Sequence, residues 1–103
     1  MRSERRSARR VALGCEVECE GPQPDPVRPQ IRDLSSTGAF IESATPVTEG
    51  TRLVLRFQLP GGEVMLAAEV ARRAPNGVGV RFVDVSERDQ QLVDDAVARA
   101  SEA

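Results

Sequence analysis

From Val11 to Glu20 apolar and polar residues alternate almost without fault. Val11, Leu13, Cys15, Val17 and Cys19 fall on one side, and Ala12, Gly14, Glu16, Glu18 and Glu20 on the other. A period of two is that of an extended chain with one face buried, so this stretch predicts an antiparallel strand. Gly21-Pro22-Gln23-Pro24-Asp25-Pro26 then ends it, because three prolines lack amide donors and fix their own backbone angles. Two short apolar stretches, residues 31–34 and 39–42, flank Ser35-Ser36-Thr37-Gly38, whose small polar residues and glycine predict a tight turn between two strands.

The alternation resumes after a second turn over residues 46–50. Thr51, Leu53, Leu55, Phe57 and Leu59 make one face against Arg52, Val54, Arg56 and Gln58, and Pro60-Gly61-Gly62 marks a hairpin. Val64, Leu66, Ala68 and Val70 form the returning strand, and Pro75-Asn76-Gly77 turns into a last one carrying Val78, Val80 and Phe82. At Ser86 the period changes: Ser86 with Asp89 three residues on resembles a capping box, and Leu92, Val93, Ala96, Val97 and Ala100 then share one helical stripe. Six short antiparallel strands and a terminal helix predict an all-β domain, a six-stranded antiparallel barrel closed by a C-terminal α-helix, with a curled open sheet as the structural alternative. The expected organisation is an arginine-rich arm over residues 1–10, a barrel over 11–85 and a helix over 86–103.

Composition narrows what such a barrel can do. The chain has 103 residues, 40% apolar and 29% charged, which suits one modest core and is too apolar for a disordered chain. With only three aromatics, that core must be built from Val, Leu, Ile and Ala. There is no His, Tyr, Trp or Lys, which removes the usual general bases, Schiff-base nucleophiles and the commonest metal ligand, so an enzyme is not expected and neither is a cofactor. Cys15 and Cys19, four apart in one strand and roughly 13 Å from each other, cannot bond and are expected to be small core residues. No apolar run is long enough to span a bilayer and no secretory leader is recognisable, so a cytoplasmic protein without membrane insertion is expected.

The net charge of −2 conceals an asymmetry. Arg2, Arg5, Arg6, Arg9 and Arg10 crowd the first ten residues against Glu4 alone, whereas Asp84, Glu87, Asp89, Asp94, Asp95 and Glu102 make the other end acidic. A general DNA or RNA binder is usually basic over a whole face and carries stacking aromatics, so nucleic acid is not the expected partner.

Two segments are not needed to build a barrel: Arg5-Arg6-Ser7-Ala8-Arg9-Arg10, just before the first strand, and Asp33-Leu34-Ser35-Ser36-Thr37-Gly38. Guanidinium groups at Arg6 and Arg10 present planar forks that grip phosphate or stack on a base. Asp33 adds what phosphate alone would not want, a carboxylate able to accept from the paired N–H donors on the edge of guanine. Ser35 offers a hydroxyl, and Gly38 permits close backbone approach or a positive φ. Taken apart, the cluster reads as a solvated tail and the turn as a self-bonded one; together they suit a guanine nucleotide. Arg72-Arg73 reads as a solvated strand end, with a second basic spot near the site as the other reading.

Residues 4–11 followed by residues 33–40 resemble the RxxxR and DxSxxG pair of PilZ domains, the bacterial cyclic di-GMP receptors, and the resemblance runs on through Gly50-Thr51, Leu59-Pro60-Gly61 and residues 77–82. It implies a six-stranded barrel whose arginine arm closes over cyclic di-GMP. Arg6 and Arg10 would hold phosphates and guanine faces, Asp33 and Ser35 would read a guanine edge, and Gly38 would shape the turn. Arg5 resembles the basic residue that accompanies binding of two stacked ligand molecules. An arm ordered by phosphates would create a surface for a downstream protein partner, and a homodimer is compatible with it. The competing reading is a PilZ-like interaction module that works without nucleotide.

Overall fold

In the computed structural model, which describes residues 9–20, 29–43 and 47–102, every alternating stretch is a strand. The order is β1 (Val11–Glu20), β2 (Gln30–Leu34), β3 (Gly38–Glu42), β4 (Arg52–Leu59), β5 (Gly62–Ala74), β6 (Gly77–Val83) and the helix α1 (Glu87–Glu102). All pairings are antiparallel and the sheet closes on itself in the order β1-β2-β3-β6-β5-β4. Closure removes free strand edges, which is how so small a sheet avoids pairing with other chains.

The inward residues fill the barrel. Ile31, Leu34, Ile41, Leu55, Val64 and Val70 are fully buried, with Phe57 and Phe82 beside them. The helix adds Val93, Ala96 and Val97 to the same core, while Leu92 and Ala100 of the predicted stripe pack at its margin. Asp84 turns the chain at a φ of 53°, a left-handed conformation that aspartate tolerates better than bulkier residues. Ser86 caps α1: its hydroxyl accepts from the Asp89 amide at 3.1 Å and its carbonyl from the Gln90 amide at 2.8 Å. Leu92 lies against Gly61 of the β4–β5 hairpin, and Arg88 donates to the Glu63 carbonyl at 3.2 Å, so the helix is fastened across one end of the barrel.

Three irregularities interrupt the strand pairing. β5 runs on to Ala74, past the point at which its apolar period stops, because a bulge between Val70 and Arg72 absorbs the break in phase while pairing to β6 continues. The β1–β2 register shifts between Ala12 and Cys15 and the β2–β3 register between Ile31 and Asp33, and Cys15 and Cys19, on the inward side of β1, are only partly buried at the rim of the core. Neither forms a disulfide. Burial pushes the Cys15 thiol up from its ordinary pKa, the backbone of Gln58 opposes this, and the charge of Glu16 adds to it. The thiol rather than the thiolate is therefore favoured in the folded chain. At pH 8, iodoacetamide should alkylate Cys15 several-fold more slowly in the native protein than in urea, as read by peptide mass mapping; equal rates would contradict this account.

Candidate functional site

The register of β1 and β2 decides where the arm begins. Val11 pairs with Leu34 and Ala12 with Asp33, so the residues just ahead of β1 emerge beside the β2–β3 turn. From there the Arg10 guanidinium reaches the Asp33 carboxylate and forms an ion pair with it. The two side chains keep 46% and 35% of their surface, so the pair is open to a ligand and its own contribution to stability is small. Arg5 and Arg6 lie outside the described residues. The tertiary structure thus brings Arg10, Asp33, Ser35 and Gly38 together at one corner of the barrel.

Within that corner the turn organises itself through Ser35, which is only 2% exposed. Its hydroxyl accepts from the Gly38 amide at 3.1 Å and the Thr37 amide at 3.3 Å, and donates to the Gly38 carbonyl at 3.2 Å. The Ser35 amide closes the turn by donating to the same carbonyl at 2.8 Å. A serine so engaged sets the shape of the backbone and presents little of itself to solvent, whereas Asp33 faces outward. The turn is also tied to β6, because the Phe82 amide donates to the Thr37 carbonyl at 2.9 Å.

Gly38 answers to a neighbour rather than to a turn conformation. Its φ lies outside the left-handed region, which among the described glycines is occupied by Gly50 and Gly62. A Cβ placed on Gly38 would instead sit 2.2 Å from the Val80 carbonyl oxygen, inside the backbone of β6. Of the two reasons anticipated for a glycine here, close approach is the one that operates, and β6 imposes it.

The helix also contributes, which no motif suggested. Gln90 donates to the Ser36 carbonyl at 2.9 Å and to Asp94 at 2.9 Å, joining α1 to the turn. A cavity of about 240 Å³ opens between them, lined by Arg9, Ser36, Asp94, Val97, Ala98 and Ser101. Gln90 and Asp94 lie on the polar side of the predicted helix, one turn apart, and only the docking angle of α1 turns that side toward the turn.

A protein-family model described as the PilZ domain matches residues 2–99, almost the whole chain. This chain belongs to the PilZ domain family. Among solved structures, this PilZ domain is similar to the Bacillus subtilis inhibitor of motility MotI/DgrA (19% identity, TM-score 0.79), covering 99% of this chain and 54% of that one. It is also similar to the PilZ domain of CeSA from a cellulose-synthesising bacterium (20% identity, TM-score 0.70; 91% and 99% covered). A third likeness is to the PilZ domain of Escherichia coli YcgR, a structure that contains c-di-GMP (18% identity, TM-score 0.73; 96% and 93% covered). At these identities the likeness is one of fold, and the chain spans about half the length of the Bacillus subtilis protein. No curated protein matches it.

Proposed function

We propose that this PilZ domain is a receptor for cyclic di-GMP. Arg5, Arg6 and Arg10 hold its phosphates and guanine faces, Asp33 reads a guanine edge, and Ser35 and Gly38 keep the turn in shape. The observation that carries this reading is the meeting of Arg10 with Asp33 beside a self-bonded turn, in a chain whose arm and turn motifs are both complete. A ligand that offers a phosphodiester and a pair of N–H donors gives each member of that ion pair a partner of its own. Separating the pair costs little, because an exposed ion pair contributes about 1 kcal/mol or less, while charge-assisted bonds to phosphate and to guanine are stronger.

The signal follows from electrostatics. Five arginines within ten residues repel one another, and phosphates that neutralise them fix the arm over the corner and form a surface for a protein partner. Amide exchange over residues 1–10 should slow when cyclic di-GMP is added; unchanged exchange there, with ligand bound, would remove the arm from the mechanism.

Calorimetric titration with cyclic di-GMP, with cyclic di-AMP and GTP as controls, tests the reading itself. Binding in the micromolar range or tighter, selective for cyclic di-GMP, is expected. Absence of heat at low ionic strength, with the thermal midpoint unmoved by saturating nucleotide, would leave an interaction module that works without nucleotide.

A further inference from the structure

The helix is held to the barrel on two sides. It packs against β1, β4 and β5, and Arg88 and Leu92 fix it to the β4–β5 hairpin. Gln90 lies two residues from each of these, about 200° around the helix, and so faces the other way. There its side-chain amide donates to the Ser36 carbonyl of the β2–β3 turn at 2.9 Å. Gln90 is half-buried and belongs to neither sequence motif.

The amide has a fixed orientation. Its Nε2 also donates to the Asp94 carboxylate at 2.9 Å, one helical turn on, so both of its N–H groups are engaged. Asp94 in turn lines the same cavity as Arg9, the neighbour in sequence of Arg10. On the turn itself, the bonds of Ser35 and Thr37 stay within the barrel, to Gly38 and to Phe82 of β6. Ser36, between them, turns its carbonyl to the helix. The turn beside the ligand corner is thus tied to the barrel through two of its residues and to α1 through a third.

We infer that Gln90, oriented by Asp94, is a positioning residue of the receptor, which couples occupancy of the Arg10–Asp33 corner to the docking of α1. The inference rests on the cyclic di-GMP reading and deepens it by naming the element that responds. Asp33 lies three residues before Ser36, so a ligand that orders Asp33 narrows the motion of the Ser36 carbonyl. A hydrogen bond to an acceptor already ordered forms with a smaller loss of entropy. The arm acts in the same direction, because a ligand that holds Arg10 also holds the Arg9 cation near the Asp94 carboxylate. The coupling is reciprocal: a turn steadied by the helix binds ligand more tightly.

Amide exchange over α1 in the full chain, with and without saturating cyclic di-GMP, tests this in wild type, Gln90→Ala, Gln90→Glu and Gln91→Ala. Gln91 is the matched neighbour, since it makes the same bond one residue on, to Asp95 at 3.0 Å, and is exposed. Ligand should slow exchange over residues 90–101 several-fold in the wild type and in Gln91→Ala. In Gln90→Ala, and in Gln90→Glu, which keeps the side-chain length but lacks the donor, that slowing should be lost with ligand still bound. Calorimetry on these two variants should show an affinity lower by about two- to tenfold, the equivalent of one hydrogen bond. Slowing retained in Gln90→Ala, or lost equally in Gln91→Ala, overturns the coupling and leaves the receptor intact, as does a wild type that binds ligand with α1 exchange unchanged. No binding by the wild type overturns both.

Discussion

Gly38→Ala will destabilise the barrel by about 3 kcal/mol, and thermal unfolding followed by circular dichroism will show it as a fall in Tm of roughly 12–24 °C. The methyl group would lie 2.2 Å from the Val80 carbonyl oxygen, and the atom in its way belongs to the backbone of β6, which cannot rotate aside as a side chain can. Relief requires β3 and β6 to separate, and with them go the Gly38–Arg81 and Ala39–Val80 pairings on which barrel closure depends. The turn would open as well, since Ser35 binds both the amide and the carbonyl of Gly38. A variant with the wild-type midpoint would show that the glycine of this motif is not held by β6. On the present account, loss of ligand binding in Gly38→Ala is a loss of fold and says nothing about contact with ligand.

Arg10→Ala is the complementary case, with a large effect on binding and almost none on the fold. Its ion pair with Asp33 is half-exposed, so Tm should change by no more than about 1 kcal/mol of stability allows. Cyclic di-GMP affinity should fall on the order of 10- to 100-fold, the equivalent of one or two charge-assisted hydrogen bonds. Part of that loss is indirect, because without Arg10 the Asp33 carboxylate faces the ligand phosphates uncompensated. Asp33→Asn separates the two parts: in its background the further loss from Arg10→Ala should be smaller than in the wild type. Additive losses in this double-mutant cycle would mean that Arg10 and Asp33 act on the ligand independently, and an undiminished affinity in Arg10→Ala would end the proposed site.

Much of the architecture was legible residue by residue. Val17, Leu55, Val64 and Val80 all sit in apolar alternations that only a half-buried strand explains, and all are core. Ser86, followed by the stripe through Val93 and Val97, marked the helix and its start. The outer end of β5 was not legible, since Ala71-Arg72-Arg73 shows no alternation and its pairing is held by the backbone of β6 through a bulge. Likewise Leu13, Cys15 and Cys19 belong to a faultless pattern and keep the inward side of β1, yet they are only partly buried against the core, which the pattern alone does not show.

For the site the division has the same cause. Local chemistry is written in local sequence: the forked cations of the arm, the Asp-x-Ser-x-x-Gly string and the family to which they point could be read in order along the chain. Distances between segments could not. That Arg10 closes on Asp33, that Ser35 spends its hydroxyl on Gly38 and that Gly38 is required by Val80 each depend on strand register, and that Gln90 reaches Ser36 depends on where α1 docks. Register arises from the mutual packing of all six strands, so it belongs to the closed barrel and to none of its segments alone.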